Sequence, residues 1–380
     1  MSQTKAQLVS GTTAQDLTVD NINTSSINSG QTSGRKNLII NGAMQVAQRG
    51  TSNTGLNGYG SVDRFFPEKH NIDNLAGTQQ QVTVSDLPGF TKAFKLDITT
   101  PESALVSDEY FAIIHRIEAQ NLQQLAYGTS SATEITLSFY VKSSHNTGNF
   151  AVSIFQHDNS RLVSKTYTIS STNTWERKTL TFPAQTSGII NNDNGRGLDI
   201  NWFLAAGGNF TSSDTTSWSA YSDAGFAFGQ TANFIGQTGT FEITGVQLEV
   251  GSTATDFEHR SFGEELTLCH RYYQRIDGSA TNTIFGVGNV DGSTQGQILV
   301  QLPVSLRAKA SSLDTTGSSG DYKFRVRTTQ NCDDVPSLVT AGFTQQFLEW
   351  HANGHGFSDG DAALAISGSS SSFLGFSAEL

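Results

Sequence analysis

The stretch ITGVQLEVGSTATDFEHRSFGEELTLCHRYYQR, residues 243–275, changes character partway along its length. Its first part places Ile243, Leu248 and Val250 next to polar neighbours, which is typical of a strand with one buried face. Gly251 and the small polar residues after it then interrupt the strand pattern. The stretch therefore predicts the last strand of one β-rich region.

The second part of the same stretch predicts a helix over residues 261–277. Ser261 and Glu264 fit the S-x-x-E capping box, in which the serine caps the first turn. Acidic residues then precede basic ones, the order that suits the helix dipole. The apolar stripe of this linking helix would pack on its own domain or on the same helix in neighbouring copies. It consists of Phe262, Leu266, Cys269 and Tyr273.

On the N-terminal side of this stretch, apolar and polar residues alternate with period two in many short segments. Examples are EITLSFYVKS at 134–143, NFAVSIFQHD at 149–158 and LDINWFLAAG at 198–207. Polar turns rich in Asn and Gly separate them, a pattern that favours antiparallel strands. We therefore predict an all-β protein with a jelly-roll β-sandwich over residues 37–260 and a smaller C-terminal β domain over 278–380.

The first 36 residues differ from the rest because their apolar clusters, such as DLTVDNINTSSI at 16–27, are too sparse to close a core. Residues 1–36 therefore suggest an extended N-terminal arm for attachment and oligomerisation, whose short segments pair with a partner or with other copies. A disordered leader is the alternative. An arm that cannot bury its apolar residues alone predicts a homo-oligomer.

The charge of the chain excludes one class of partner. A formal net charge of −11 lacks the clustered Lys and Arg that nucleic acid requires, so we expect no nucleic acid partner. No apolar run approaches the roughly 20 residues of a membrane-spanning helix, and we expect no membrane insertion.

Sugar binding calls for aromatic faces beside polar side chains. The alternative is that these large aromatic residues belong to the core, as is common in β-sandwiches. The candidates for glycan binding are Trp202, Trp218, Tyr221 and Trp350.

Catalytic chemistry has little support in the sequence. Adjacent carboxylates, such as Asp108 with Glu109 or Asp333 with Asp334, point in different directions and form no acid/base pair by themselves. His351 and His355 stand four apart in a glycine-containing stretch that favours a loop, so we expect no metal site. No cofactor is expected, and the sequence predicts a protein that is not an enzyme.

Four stretches resemble bacteriophage tail-fibre and related virion proteins, especially those of phages of aquatic bacteria. They are NLIINGAMQVAQRGTS at 37–52, GYGSVDRFF at 58–66, FEITGVQLEVGSTATDFEHRSFGEELTLCHRYYQR at 241–275 and ILVQLPVSLRAKASSL at 298–313. The resemblance implies a first domain similar to carbohydrate-binding jelly rolls.

The same resemblance implies a location in the virion, a homotrimer, attachment to other virion proteins through the N-terminal arm, and contact with host cell-surface glycans. A capsid or tail decoration protein is one alternative that this resemblance leaves open. A polysaccharide-degrading tail spike is the other.

Overall fold

The computed structural model describes residues 35–145, 148–353 and 356–380. The predicted arm lies outside the described residues except for its last two, Arg35 and Lys36. The regular secondary structure of the described residues is almost entirely β, as the sequence predicts. It divides into two compact units, one of residues 35–45 and 51–260, the other of residues 46–50 and 261–380.

The first unit contains twelve strands in the part of the chain that the structure describes. In chain order they are β1 (Ser52–Asn53), β2 (Phe65–His70), β3 (Ala76–Thr83), β4 (Lys92–Thr100), β5 (Tyr110–Glu118), β6 (Ile135–Ser143), β7 (Asn149–Gln156), β8 (Arg161–Thr168), β9 (Glu176–Phe182), β10 (Arg196–Ala206), β11 (Ser219–Ala220) and β12 (Gly239–Val250). Its helical pieces are the one-turn helix α1 (Gly208–Thr211) and the 3-10 turns Ala119–Leu125, Asp223–Gly225 and Phe234–Gly236.

These strands form two six-stranded antiparallel sheets. The first sheet has the order β1-β3-β4-β12-β6-β9, and the second has the order β11-β8-β7-β10-β5-β2. Ile243 of β12 pairs with Phe94 on one side and Val141 on the other, and all three side chains point inward. Apolar residues from the inner faces of both sheets form one continuous core. The predicted β-sandwich is confirmed.

The second unit is smaller and contains the helix α2 (Phe262–His270), the 3-10 turn Ser319–Asp321 and ten further strands within the described residues. The strands are β13 (Tyr273–Asp277), β14 (Ile284–Asp291), β15 (Gln295–Gln301), β16 (Ser312–Asp314), β17 (Tyr322–Arg325), β18 (Thr329–Asn331), β19 (Ser337–Ala341), β20 (Gln345–His351), β21 (Ala362–Ser367) and β22 (Phe373–Ser377). They form a three-stranded sheet, β13-β22-β16, and a seven-stranded sheet, β18-β17-β21-β14-β15-β20-β19.

The predicted capping box is present at the start of α2. The Ser261 side chain accepts a hydrogen bond from the backbone N–H of Glu264 at 3.3 Å, which satisfies one of the amide groups exposed at a helix N-terminus. Glu264 and Glu265 lie in the first turn, where their negative charges interact favourably with the positive end of the helix dipole. Ser261 and Glu264 therefore have the roles that the sequence predicts.

The predicted end of this helix at residue 277 is wrong. The helix stops at His270, and residues 273–277 form strand β13, in which Tyr273 pairs with Ser377 of β22. Pairing with β22 satisfies the backbone polar groups of this segment, so the helical pattern does not continue.

The apolar stripe is therefore shorter than predicted. Cys269 is buried, Leu266 is half-buried and Phe262 is 58% exposed, whereas Tyr273 is buried as part of a strand. The buried residues of the helix are Glu265 and Cys269. The helix thus packs through Glu265 and Cys269, which lie one turn apart, rather than through the whole predicted stripe.

No helix within the three described ranges combines the length and the apolar character that crossing a bilayer would require.

Candidate functional site

A cleft of about 360 Å³ lies in the first unit, between β8 and β9. These strands are consecutive in the chain but belong to different sheets, so the cleft lies at an open side of the sandwich. We call it the β8/β9 cleft. Its lining residues are Asn149, Ser164, Lys165, Thr166, Thr179, Leu180, Thr181, Thr216, Phe228 and Gly229.

Three consecutive residues of β8, Ser164, Lys165 and Thr166, line the cleft, so both faces of this strand contribute to it. Val163 and Tyr167 are buried in the core, and Lys165 shares their face of the strand because side chains two apart point the same way. Ser164 and Thr166 lie on the opposite face. Lys165 therefore occupies a strand position where the alternating pattern predicts a buried apolar residue. This position lies at the open side of the sandwich.

A covering segment, residues 213–230, forms one wall of the cleft. The carbonyl of Thr215 accepts a hydrogen bond from the Ser164 backbone N–H at 2.7 Å. The Thr215 hydroxyl donates to the Gly225 carbonyl at 2.9 Å, and the Gln230 side chain accepts from the Ala151 backbone N–H at 2.5 Å. The bonds from Ser164 and Ala151 hold the segment against β8 and β7, and the Thr215–Gly225 bond lies within the segment.

Gly229 brings the covering segment close to β8. Its φ of +83° lies in the left-handed region that favours glycine, and a Cβ at this position would lie 2.6 Å from the Thr166 methyl carbon. Only a residue without a side chain fits here, which places Phe228 and Gly229 at the cleft.

Four polar side chains of the cleft have no hydrogen-bond partner among the residues that the structure describes. They are the amide of Asn149, the ammonium of Lys165 and the hydroxyls of Thr166 and Thr179. By contrast, the Thr181 hydroxyl lies 3.1 Å from that of Thr136. The first four groups are therefore available to donate to, or accept from, a bound molecule.

The charge of the cleft is positive at one point. Its ten lining residues include no carboxylate, and Lys165 is their one charged side chain. Asp214 of the covering segment is exposed, and its side chain accepts from the Thr216 backbone N–H at 2.8 Å. That hydrogen bond, together with the Lys165 charge, holds the pKa of Asp214 below its usual value. The cleft is thus neutral and polar except for one ammonium group.

Two of the predicted glycan-binding residues are enclosed in hydrophobic cores. Trp202 is 0% exposed and packs between the rings of Phe65 and Phe139, and Trp350 is 1% exposed and packs against Tyr322. Neither ring presents a face to a ligand, so the glycan-binding prediction is wrong for Trp202 and Trp350. The core alternative is correct for both.

Trp218 lies in the covering segment, two residues after Thr216 of the cleft. Its indole N–H donates to the Pro183 carbonyl at 2.6 Å, and its ring packs edge-on against Tyr127 at 5.8 Å. Pro183 directly follows β9, so Trp218 fastens the covering segment to the end of that strand. The ring is partly buried and is not among the lining residues.

Tyr221 is the most exposed of the four predicted residues, at 38%. Its ring packs against Phe155 at 4.9 Å, and its hydroxyl donates to Asp223 at 2.7 Å. It lies on the outer face of the second sheet and does not line the cleft. Its glycan-binding role stays a prediction.

A buried charge cluster lies on the same outer face. The Asp199 carboxylate is 3.1 Å from the His157 imidazole and 3.6 Å from the Arg116 guanidinium, and it also accepts a hydrogen bond from Arg196. Burial opposes ionisation of Asp199, but His157 and Arg196 outweigh it and hold the pKa of this carboxyl below its usual value. Because the carboxylate lies within ion-pair distance of all three basic side chains, we assign the cluster a role in the structure of the sheet.

The sequence predictions did not include the residues that line the cleft. One local signal was available in RLVSKTYT, residues 161–168, because Lys165 stands between Val163 and Tyr167 where alternation predicts another apolar residue. The other cleft residues come from four separate segments and carry no motif. Their proximity follows from the fold alone.

Searches for similarity found neither a matching family model nor a matching curated protein. Three solved structures illustrate the similarity of part of this chain to known folds. The enzymatically active domain of tailspike protein 4 of bacteriophage CBA120 matches over 56% of this chain and 21% of its own, with 14% identity and a TM-score of 0.31.

The other two structures contain bound sugars. A family 11 carbohydrate-binding module from Clostridium thermocellum, in complex with a β-1,3-1,4-mixed-linked tetrasaccharide, matches over 55% of this chain and 99% of its own, with 12% identity and a TM-score of 0.28. TmCBM61, in complex with β-1,4-galactotriose, matches over 57% and 99%, with 8% identity and a TM-score of 0.27. Similarity at this level assigns no role to any residue of this chain.

Proposed function

We propose that the first unit binds a saccharide in the β8/β9 cleft. The observation that carries this proposal is the set of available polar groups on Asn149, Lys165, Thr166 and Thr179 beside the apolar side chain of Phe228. A sugar presents many hydroxyl groups together with apolar C–H faces. It is recognised by a few well-placed polar groups next to an apolar surface.

In this proposal the cleft recognises its ligand and does not cleave it. Hydrolysis of a glycosidic bond commonly uses two carboxyl groups that flank the bond. The lining residues include no Asp or Glu, so this cleft lacks the groups for that reaction.

The wider role that we propose is that of a tail fibre of a phage virion, which recognises host surface polysaccharide. The resemblance of residues 37–312 to tail-fibre proteins supports it. The proposed fibre is a homotrimer that attaches to other virion proteins through residues 1–36.

Light scattering on the purified chain should then give a mass near three chains, and immunogold labelling should mark the tail. Label confined to the capsid shell would favour a decoration protein.

Glycan binding is tested on an array of neutral and acidic glycans with the full-length chain. Replacing Thr166 and Thr179 together by valine removes two hydroxyl groups and preserves side-chain shape. Two lost hydrogen bonds should weaken binding by about tenfold or more. The control is Thr168→Val, an exposed residue of β8 that does not line the cleft.

Each outcome of this test is informative. No binding to any glycan overturns the proposal, and unchanged binding by the double variant places the site elsewhere and overturns the role of the cleft. Incubation with the bound polysaccharide adds a second check, because an increase in reducing ends would identify a degradative spike.

A further inference from the structure

Lys165 differs from three other lysines of the first unit in its surroundings. Lys178 lies 2.6 Å from Glu176, Lys142 lies 3.2 Å from Asp86, and Lys95 lies 3.2 Å from Asp97. Within the described ranges, Lys165 makes neither an ion pair nor a hydrogen bond. An unpaired cation is notable in a chain of net charge −11, where carboxylates are plentiful.

The position of Lys165 places a positive charge beside the cleft. Its side chain is half-buried, on the strand face that it shares with the core residues Val163 and Tyr167. An ammonium group in a partly enclosed site attracts an anion more strongly than one that is fully surrounded by water. Asp214, whose pKa the Lys165 charge helps to lower, is exposed and forms no ion pair with it. An anion bound in the cleft would pair with the Lys165 ammonium.

We infer that the β8/β9 cleft selects anionic saccharides, with the carboxylate or sulfate group of the sugar paired to the Lys165 ammonium. The inference rests on the proposed function, since it names the ligand class of the same cleft. The hydroxyls of Thr166 and Thr179 and the amide of Asn149 are then left for the neutral hydroxyl groups of the sugar ring. The absence of carboxylates from the lining removes the repulsion that would exclude an anionic ligand.

The test uses affinity electrophoresis of the full-length chain in gels that contain alginate (a uronate polymer), carrageenan (a sulfated polymer) or dextran (a neutral polymer). The glycans that bind on the array are examined in the same way. Alginate with its carboxyl groups reduced to alcohols and desulfated carrageenan serve as matched neutral ligands. Loss of binding on reduction identifies a uronate, and loss on desulfation identifies a sulfate ester.

Two variants and one control test the residue. Lys165→Gln removes the charge and should weaken binding of the anionic polymer by at least about tenfold, whereas Lys165→Arg keeps the charge and should retain most of the binding. Lys92→Gln makes the same change in net charge at a residue that does not line the cleft, and it should bind like wild type. Salt at about 0.5 M should weaken wild-type binding more than that of Lys165→Gln.

The possible results separate the inference from the function on which it rests. Binding to acidic polymers that Lys165→Gln loses and Lys92→Gln keeps supports the inference. Binding only to neutral glycans, or equal binding by wild type and Lys165→Gln, overturns the inference and leaves saccharide binding intact. Equal losses in Lys165→Gln and Lys92→Gln would show a general charge effect and also overturn it. No binding to any glycan defeats the proposed function itself.

Discussion

Gly229 and Thr166 approach so closely that a β-carbon on the glycine would meet the threonine methyl group at 2.6 Å. This close approach places the covering segment against β8 where both line the β8/β9 cleft. Gly229 also has a left-handed φ of +83°, which an alanine adopts only with strain.

The first prediction follows from this contact. Gly229→Ala should displace Phe228 and the end of the covering segment, weaken glycan binding and lower the free energy of unfolding by about 1 to 2 kcal/mol. Gly208→Ala is the control, since a Cβ there meets no other atom and the backbone needs no left-handed φ. Array binding and chemical denaturation measure the two effects. Unchanged binding by Gly229→Ala would mean that this contact does not shape the site.

The second prediction concerns the buried carboxylate of Asp199. Asp199→Asn keeps the shape but leaves His157, Arg196 and Arg116 without their anion. At neutral pH it should lower the free energy of unfolding by about 2 to 4 kcal/mol. Asp97→Asn, which breaks the more exposed pair with Lys95, should cost less than about 1 kcal/mol.

The pH dependence of the Asp199 effect has a definite sign. Because the folded-state pKa of Asp199 lies below its ordinary value of 3.8, its stabilising charge is fully present above that pH and is lost as the pH falls further. The difference in stability between wild type and Asp199→Asn should therefore shrink as the pH falls below 3.8. A difference that stays constant would contradict this account.

A third prediction comes from His115, which is buried on β5 beside the ring of Phe65 at 4.6 Å. Burial, aided by the Arg64 charge, lowers its pKa well below 6.5, so the folded protein holds it neutral. The unfolded chain binds the proton more readily. The stability that depends on neutral His115 is therefore complete above pH 6.5 and decreases as the pH falls from there towards the folded-state pKa.

Replacing His115 by phenylalanine removes this titration. Between neutral pH and about pH 5.5, the wild type should lose up to about 1 kcal/mol more stability per pH unit than His115→Phe does. Urea denaturation at several pH values measures the two slopes. The slopes are compared within each protein, so a constant cost of the larger ring does not affect the result, and equal slopes would be evidence against a neutral buried histidine.

The fourth prediction ranks two adjacent residues at the start of α2. Ser261→Ala removes the capping hydrogen bond to Glu264 and should lower the free energy of unfolding of the second unit by about 1 kcal/mol. Phe262→Ala should change it by less than about 0.5 kcal/mol, because that ring is largely exposed. Thermal or urea unfolding gives the order, and the reverse order would mean that the Phe262 ring is buried in solution.

Local patterns were sufficient to predict the sandwich and the start of the helix. Leu248 and Val250 alternate with polar residues, and Ser261 and Glu264 lie within one turn, so neighbouring residues carry the information. The end of the helix depends instead on β22, whose residues lie about a hundred positions further along the chain. A pattern of neighbouring residues therefore does not predict that pairing.

The aromatic predictions failed for a related reason. In β10, Trp202 and Phe203 are adjacent, so both faces of the strand carry a large ring, and alternation alone does not say which face is the core. The structure places Trp202 in the main core and Phe203 on the outer face of the second sheet. The cleft could not be predicted from local sequence patterns, because β8, β9 and the covering segment come together only in the folded unit.

Strand β12, the last of the first unit to be synthesised, lies between β4 and β6 in the middle of its sheet. A ribosome adding about 5 to 20 residues per second needs roughly 5 to 20 seconds to proceed from β6 to β12. During that interval β4 and β6 each carry an unpaired edge that invites pairing with another nascent chain. We therefore expect the yield of correctly folded protein to depend on how crowded the polysomes are and on whether a chaperone shields these edges until residue 250 emerges.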